Sequence, residues 1–141
     1  MTTGNRPEIR LATPDDLPAL HALSQHLAAH LGDAPRDIET LHRDAFILPG
    51  TRVLVARQAG ETVGYVLMRL TRDPLTWRTG YEITELFVAH THRNRGTGRR
   101  LIGAARLLAQ AEGRATLAIT PGMAALTAHL GAARALPLAL A

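Results

Sequence analysis

The chain predicts a single α/β domain built on a mixed, mostly antiparallel sheet. Three observations carry that expectation. Strand-like apolar runs and helix-spaced apolar stripes follow one another in the order β-α-α-β-β-β-α-β-α-β. The 141 residues are 46% hydrophobic, enough for one real core and too apolar for disorder. No linker, repeat or low-complexity block divides them, so residues 1–141 are read as one domain of about six strands and about four helices.

The elements follow in order. Residues 7–12 (PEIRLA) read as a first strand. Thr13 is a good N-cap for the next helix, with Pro14 at its first position and an acid at its third. Leu17, Leu20, Leu23, Leu27 and Leu31 form its apolar stripe, and Gly32 ends it. Residues 35–48 look like a second helix burying Ile38, Leu41, Ala45 and Leu48. Residues 51–57 and 62–70 read as strands joined by a glycine-containing hairpin. A loop over 72–80 leads to a strand over 81–89. Residues 97–112 form a helix with Leu101, Ala105, Leu108 and Ala109 inward, stopped by Gly113. A strand over 115–120, a short helix over 121–130 ended by Gly131, and a last edge strand containing Pro137 complete the order.

Composition removes several chemistries. There is no lysine, so all sixteen basic residues are arginines, which excludes a P-loop and a lysine Schiff base. The absence of cysteine removes thiol nucleophiles, cysteine zinc sites and disulfides, and makes a cytoplasmic location the expectation. The lone serine, Ser24, lies in a helical pattern outside any nucleophile elbow. No apolar run of about 18 residues suggests a membrane span. The polar opening MTTGNRPEIR does not resemble a signal peptide. The net charge of +4 admits a polyanion, but sparse aromatics argue against nucleic acid.

The most informative segment is LFVAHTHRNRGTGRRL, residues 86–101. Helix N-terminal amides lack intrahelical partners and carry the positive end of the dipole. Gly96 and Gly98 let a ligand approach the backbone, and Arg93, Arg95, Arg99 and Arg100 surround it with charge. Such a site suits a pyrophosphate. The plainer alternative is a strand-to-helix turn with solvated arginines.

Arg93-x-x-Gly96-x-Gly98 resembles the signature of the GNAT superfamily, the general N-acetyltransferases that use acyl-coenzyme A. The flanking strand and helix match as well. The likeness extends to IRLATPDDLPAL at the start, VGYVLMRL as the third strand, and the strand–helix–Gly131 ending. It implies acetyl-CoA as cosubstrate, with an amine as acceptor. Backbone groups of Leu86, Phe87 and Val88 would pair with the pantetheine arm where the fourth and fifth strands splay. Asn94, Arg95, Gly96, Thr97, Gly98 and Arg99 would hold the pyrophosphate. An amide near Val88 would polarise the thioester.

The resemblance also points to a base. Glu82 and Glu85 interrupt an otherwise apolar strand, and their odd spacing places them on opposite faces. Glu82 falls where several GNAT members keep their base, and Thr84 where others keep a histidine or glutamate. Glu82 is the candidate base. Glu85 is a candidate to pair with an arginine, position the amine or relay a proton through water. Simple ion pairing at a strand end is the competing explanation for both.

Two departures stand out. A tyrosine often protonates the leaving thiolate in this family, but Thr127 occupies that place, with His129 nearby. This motivates a rival, a non-catalytic acyl-CoA-binding or sensing module. A basic nucleic-acid-binding domain is a more distant one. Thr120 and Pro121 also stand where an asparagine is common. The second departure is the short stretch after Gly131, which leaves Leu136, Leu138 and Leu140 on one face of an edge strand and motivates a homodimer. His26 and His30 share a helix face but lack a third ligand, so no metal is expected. His90 and His92 border the phosphate loop or are solvated. Trp77 and Tyr81 wall an acceptor pocket or simply pack.

Overall fold

The computed structural model describes residues 6–120 and 138–139. Six strands form one sheet in chain order: β1 (Glu8–Leu11), β2 (Thr51–Gln58), β3 (Glu61–Arg72), β4 (Thr79–Val88), β5 (Thr116–Ile119) and β6 (Leu138–Ala139). Every neighbouring pair is antiparallel except β4 and β5, which run parallel around helix α3 (Thr97–Ala111). The mixed α/β sheet is therefore the one expected. Three α-helices occur among the described residues; the expected helix over 121–130, with Thr127 and His129, lies outside them. No helix of the described residues is long and apolar enough to cross a membrane.

Helix α1 (Leu17–Leu31) starts as the sequence suggests. A 3₁₀ turn, Pro14–Asp16, precedes it, and the Asp16 carboxylate accepts the Thr13 amide at 2.7 Å and both Arg10 terminal nitrogens at 2.8 and 2.9 Å. Its end at Gly32, φ +74°, needs a residue that tolerates the left-handed region.

The second helix departs from expectation. Helix α2 covers only Ile38–His42, started by Asp37, whose carboxylate accepts the Thr40 amide at 2.7 Å. A π turn, Arg43–Ile47, follows and is closed by the Leu48 amide on the Arg43 carbonyl at 2.9 Å. The wider turn breaks the 3.6-residue stripe. Leu41 and Ala45 are buried as expected, but Ile38 and Leu48 are exposed.

The sheet carries helices on both faces. A Cβ on Gly64 would meet Leu101 of α3 at 3.3 Å, whereas Phe87, the cross-strand partner of Tyr65, stacks on His26 of α1. Gly64 and Tyr65 point to opposite faces by strand alternation, so α3 covers one face and α1 the other. Leu101, Ile102, Ala105 and Ala109 pack beneath α3, and Leu20, Leu23 and Leu27 beneath α1.

Candidate active site

The site begins where two strands part. Parallel pairing of β4 with β5 is bracketed by the Ala115 amide on the Thr79 carbonyl, 2.7 Å, and the Thr120 amide on the Ile83 carbonyl, 2.9 Å. At its base Gly80 faces Thr116 so closely that a Cβ there would lie 2.7 Å from the Thr116 carbonyl oxygen. Beyond Ile83, β4 continues to Val88 beside β3, while β5 ends at Ile119. A fork opens between them.

Backbone alternation decides which groups line the fork. The Ala89 amide bonds the Val63 carbonyl of β3 at 2.7 Å, so the peptide groups of Val88 turn to the opposite edge. Those of Leu86, two residues earlier, do the same. Phe87 turns its peptide groups toward Tyr65 of β3, so of the three expected strand residues Leu86 and Val88 present backbone groups to the fork.

The glycine loop follows. Asn94 and Gly96 are both left-handed, at φ +63° and +82°, and turn the chain sharply into α3. No side chain caps that helix, and its first internal bond runs from the Arg100 amide to the Gly96 carbonyl at 3.1 Å. The amides of Thr97 and Gly98 thus precede the first internal bond, at the positive end of the dipole. A Cβ on Gly96 would meet nothing within 4 Å, so the surface above it is open. Arg95, Arg99 and Arg100 are exposed around it. Arg93 is engaged elsewhere. Its Nε donates to the Val88 carbonyl at 2.9 Å, and its guanidinium lies 5.0 Å from the Phe87 ring centre. It braces the loop against the end of β4.

The two glutamates are not on opposite faces. Arg69 opposes Glu82, Met68 opposes Ile83 and Leu67 opposes Glu85, which leaves Thr84 as an extra residue in a β-bulge. Direct cross-strand partners share a face, and Arg69 and Leu67 are two apart on a regular stretch of β3. Glu82 and Glu85 therefore share the α1 face. The bulge cancels the alternation that odd spacing implied.

Their surroundings differ. Glu85 Oε1 accepts Arg36 Nη2 at 2.5 Å and the Tyr65 hydroxyl at 2.8 Å. Arg36 also donates to Asp44 in the π turn at 3.2 Å, and its carbonyl lies 3.1 Å from His21 Nε2. Burial, then the neighbouring Glu85 charge, raises the Tyr65 phenol far above its ordinary value and keeps it a donor. Burial acts to lower Arg36, but its attraction to Glu85 and bonds to both carboxylates leave it raised. Glu82 is half-buried, and its carboxylate has no hydrogen bond or ion pair among the described residues. Arg36, Asp44 and Tyr65 had no sequence signal; Arg36 lies 49 positions from its partner Glu85.

Other expected residues fall elsewhere. Tyr81 does not wall the acceptor side: it is fully buried on the α3 face and donates to Glu112 at 2.5 Å. Trp77 is 69% exposed with Arg72 above its ring. No group of His, Asp and Glu among the described residues could hold a metal ion.

An open strand edge thus leads to a glycine-opened helix N-terminus, and comparison with known proteins places the chain in a family. The sequence profile of the acetyltransferase (GNAT) domain matches residues 49–136, so the chain belongs to the GNAT family, whose domains use acetyl-CoA. No curated protein sequence matches significantly. Among solved structures, an aminoglycoside acetyltransferase from an uncultured soil metagenomic sample, complexed with sisomicin, superposes with a TM-score of 0.70 at 20% identity, covering 82% of this chain and 78% of that one. A ribosomal-protein-alanine N-acetyltransferase from Brucella melitensis biovar Abortus 2308 gives 0.67 at 23%, covering 81% and 79%. A transcriptional regulator from Bacillus halodurans C-125 gives 0.73 at 16%, covering 92% and 93%. At these identities the likeness is one of fold.

Proposed function

We propose that this chain is an N-acetyltransferase that moves the acetyl group of acetyl-CoA to a primary amine by direct attack. The fork carries the reading. The Leu86 and Val88 backbone groups are left without a β5 partner and lead directly to the open N-terminus of α3. Pantetheine fits the strand edge, and a pyrophosphate fits the Thr97 and Gly98 amides.

The residues divide the work. Glu82 takes the proton from the amine as its nitrogen attacks the thioester carbon, because its carboxylate has no partner among the described residues and stands beside the fork. The Val88 amide donates to the acyl oxygen as negative charge develops there. The carbon–sulfur bond breaks, and the CoA thiolate takes its proton from water. Glu85, held by Arg36 and Tyr65, positions the α1–α2 connection against β4.

Calorimetry with CoA and a thiol-release assay with acetyl-CoA and primary amines test this. Binding with amine-dependent release supports transfer. Binding without turnover favours an acyl-CoA-sensing module, and strongly salt-dependent duplex DNA binding without CoA affinity favours the nucleic-acid alternative. Two sequence expectations accompany the proposal, a cytoplasmic location and a homodimer along the β6 edge. Light scattering tests the latter.

A further inference from the structure

Two polar atoms at the fork are left without partners. The hydroxyl oxygens of Thr84 and Thr120 are both buried, and neither has a hydrogen-bond partner among the described residues. Buried hydroxyls without partners are uncommon, and each calls for an explanation. Their positions are related. Thr84 is the extra residue of the β4 bulge, immediately after Ile83. Thr120 follows the last residue of β5, and its amide holds the Ile83 carbonyl. The two threonines flank the point where the strands part.

Glu82 stands beside them. Ala118 is its partner on β5, so Thr120, two residues on, belongs to the same sheet face as the glutamate. Among the described residues, a carboxylate and two hydroxyls without partners thus belong to backbone positions that bracket the point where the strands part. Each can accept a hydrogen bond, and a primary ammonium carries three N–H donors.

We propose that the Thr84 and Thr120 hydroxyls, with Glu82, form the subsite for the acceptor nitrogen and select a primary amine. The inference rests on the acetyltransferase reading and extends it to acceptor selectivity. When an amine enters, small rotations of the threonine side chains give each hydroxyl an N–H to accept, while Glu82 accepts the third. An N-methylated amine has one donor fewer and a methyl group against a hydroxyl.

The test compares Thr84→Val, Thr120→Val and the double variant with wild type. The acceptor is the fastest of a primary-amine panel: sisomicin, an alanine-initiated peptide, a lysine-containing peptide and 1,4-diaminobutane. Its N-methylated counterpart is assayed alongside. Valine keeps the shape of threonine and removes the unpaired hydroxyl, so the melting temperature should hold or rise. KM for the primary amine should rise about tenfold in the double variant, a loss expected for one or two hydrogen bonds, and preference over the methylated amine should shrink. CoA affinity should stay within about twofold, and serine at both positions should restore selectivity. Unchanged KM and preference in the double variant, with wild-type turnover intact, would overturn the subsite alone. So would a loss confined to CoA affinity. A wild-type protein that binds CoA but acetylates no member of the panel would overturn the transferase reading and this one together.

Discussion

Glu82 and Glu85 share a face, yet their surroundings predict opposite outcomes when each is changed to glutamine. Glu85 accepts from Arg36 and Tyr65, and its side chain is 18% exposed against 24% for Arg36. Removing one member of a fully buried pair costs about 3–5 kcal/mol. Here residual solvent and the surviving Arg36–Asp44 pair reduce that, and glutamine still offers an oxygen to Tyr65. A cost of about 1–2 kcal/mol follows, which for a chain of this size lowers the melting temperature by about 3–8 °C. Glu82 has no partner to lose among the described residues, so Glu82→Gln should change stability by no more than about 0.5 kcal/mol. Its effect should fall on the rate, about 10²–10⁴-fold at saturating acetyl-CoA. Scanning calorimetry and thiol release separate the two. A Glu82→Gln protein that turns over within about threefold of wild type, while Glu85→Gln is inactive yet folded, would refute the assignment and make Glu85 the base.

Three further outcomes follow from the geometry. Gly96→Asp should reduce CoA affinity more than tenfold by setting a carboxylate at the proposed pyrophosphate site, at a folding cost of about 1–2 kcal/mol for its positive φ; calorimetry with CoA reads the first and thermal melting the second. Gly80→Ala forces a Cβ against Thr116 and should cost about 1–3 kcal/mol while weakening CoA binding, because it pries apart the strands that set the fork; an unchanged melt would show that the pairing yields freely. Asp16 is held below the ordinary carboxylate range, first by its hydrogen bond to Arg10. A depressed folded value means its stabilisation is complete above the unfolded value of about 4 and is lost as pH falls through the folded one. Melting temperature should therefore drop below about pH 4, and less steeply in Asp16→Asn than in wild type.

The start and stop of α1, the start of α3, the strand runs and the glycine loop were legible because their causes are local. Thr13, Asp16, Gly32 and the Arg93–Gly98 spacing act within a few residues of themselves. The π turn was not legible, since apolar residues at helical spacing do not reveal which turn widens. Nor was the Arg36–Glu85 pair, which tertiary folding alone brings together. Arg93 sits in the expected loop but plays a different part. Four arginines around the glycine loop look equivalent in sequence, yet Val88 offers a carbonyl to this one.

The bulge at Thr84 has the largest consequence for function. In an unbulged strand, Glu85 would join the α3 face, where Tyr81 is buried and Glu112 already binds Arg52, Tyr81 and Arg114. A further carboxylate there would bring one more charge to be desolvated. The extra residue instead turns Glu85 toward Arg36 and leaves Glu82 on the same side, at the base of the fork and without a partner among the described residues. It also lets β4 leave β5 while keeping its bonds to β3, because a bulge bends a strand and strengthens its twist. One inserted residue thereby opens the strand edge proposed for the acyl carrier and sets beside it a carboxylate without a partner among the described residues. Deleting Thr84 should undo both at once: Glu85 would lose Arg36, and the protein should lose stability and amine turnover together.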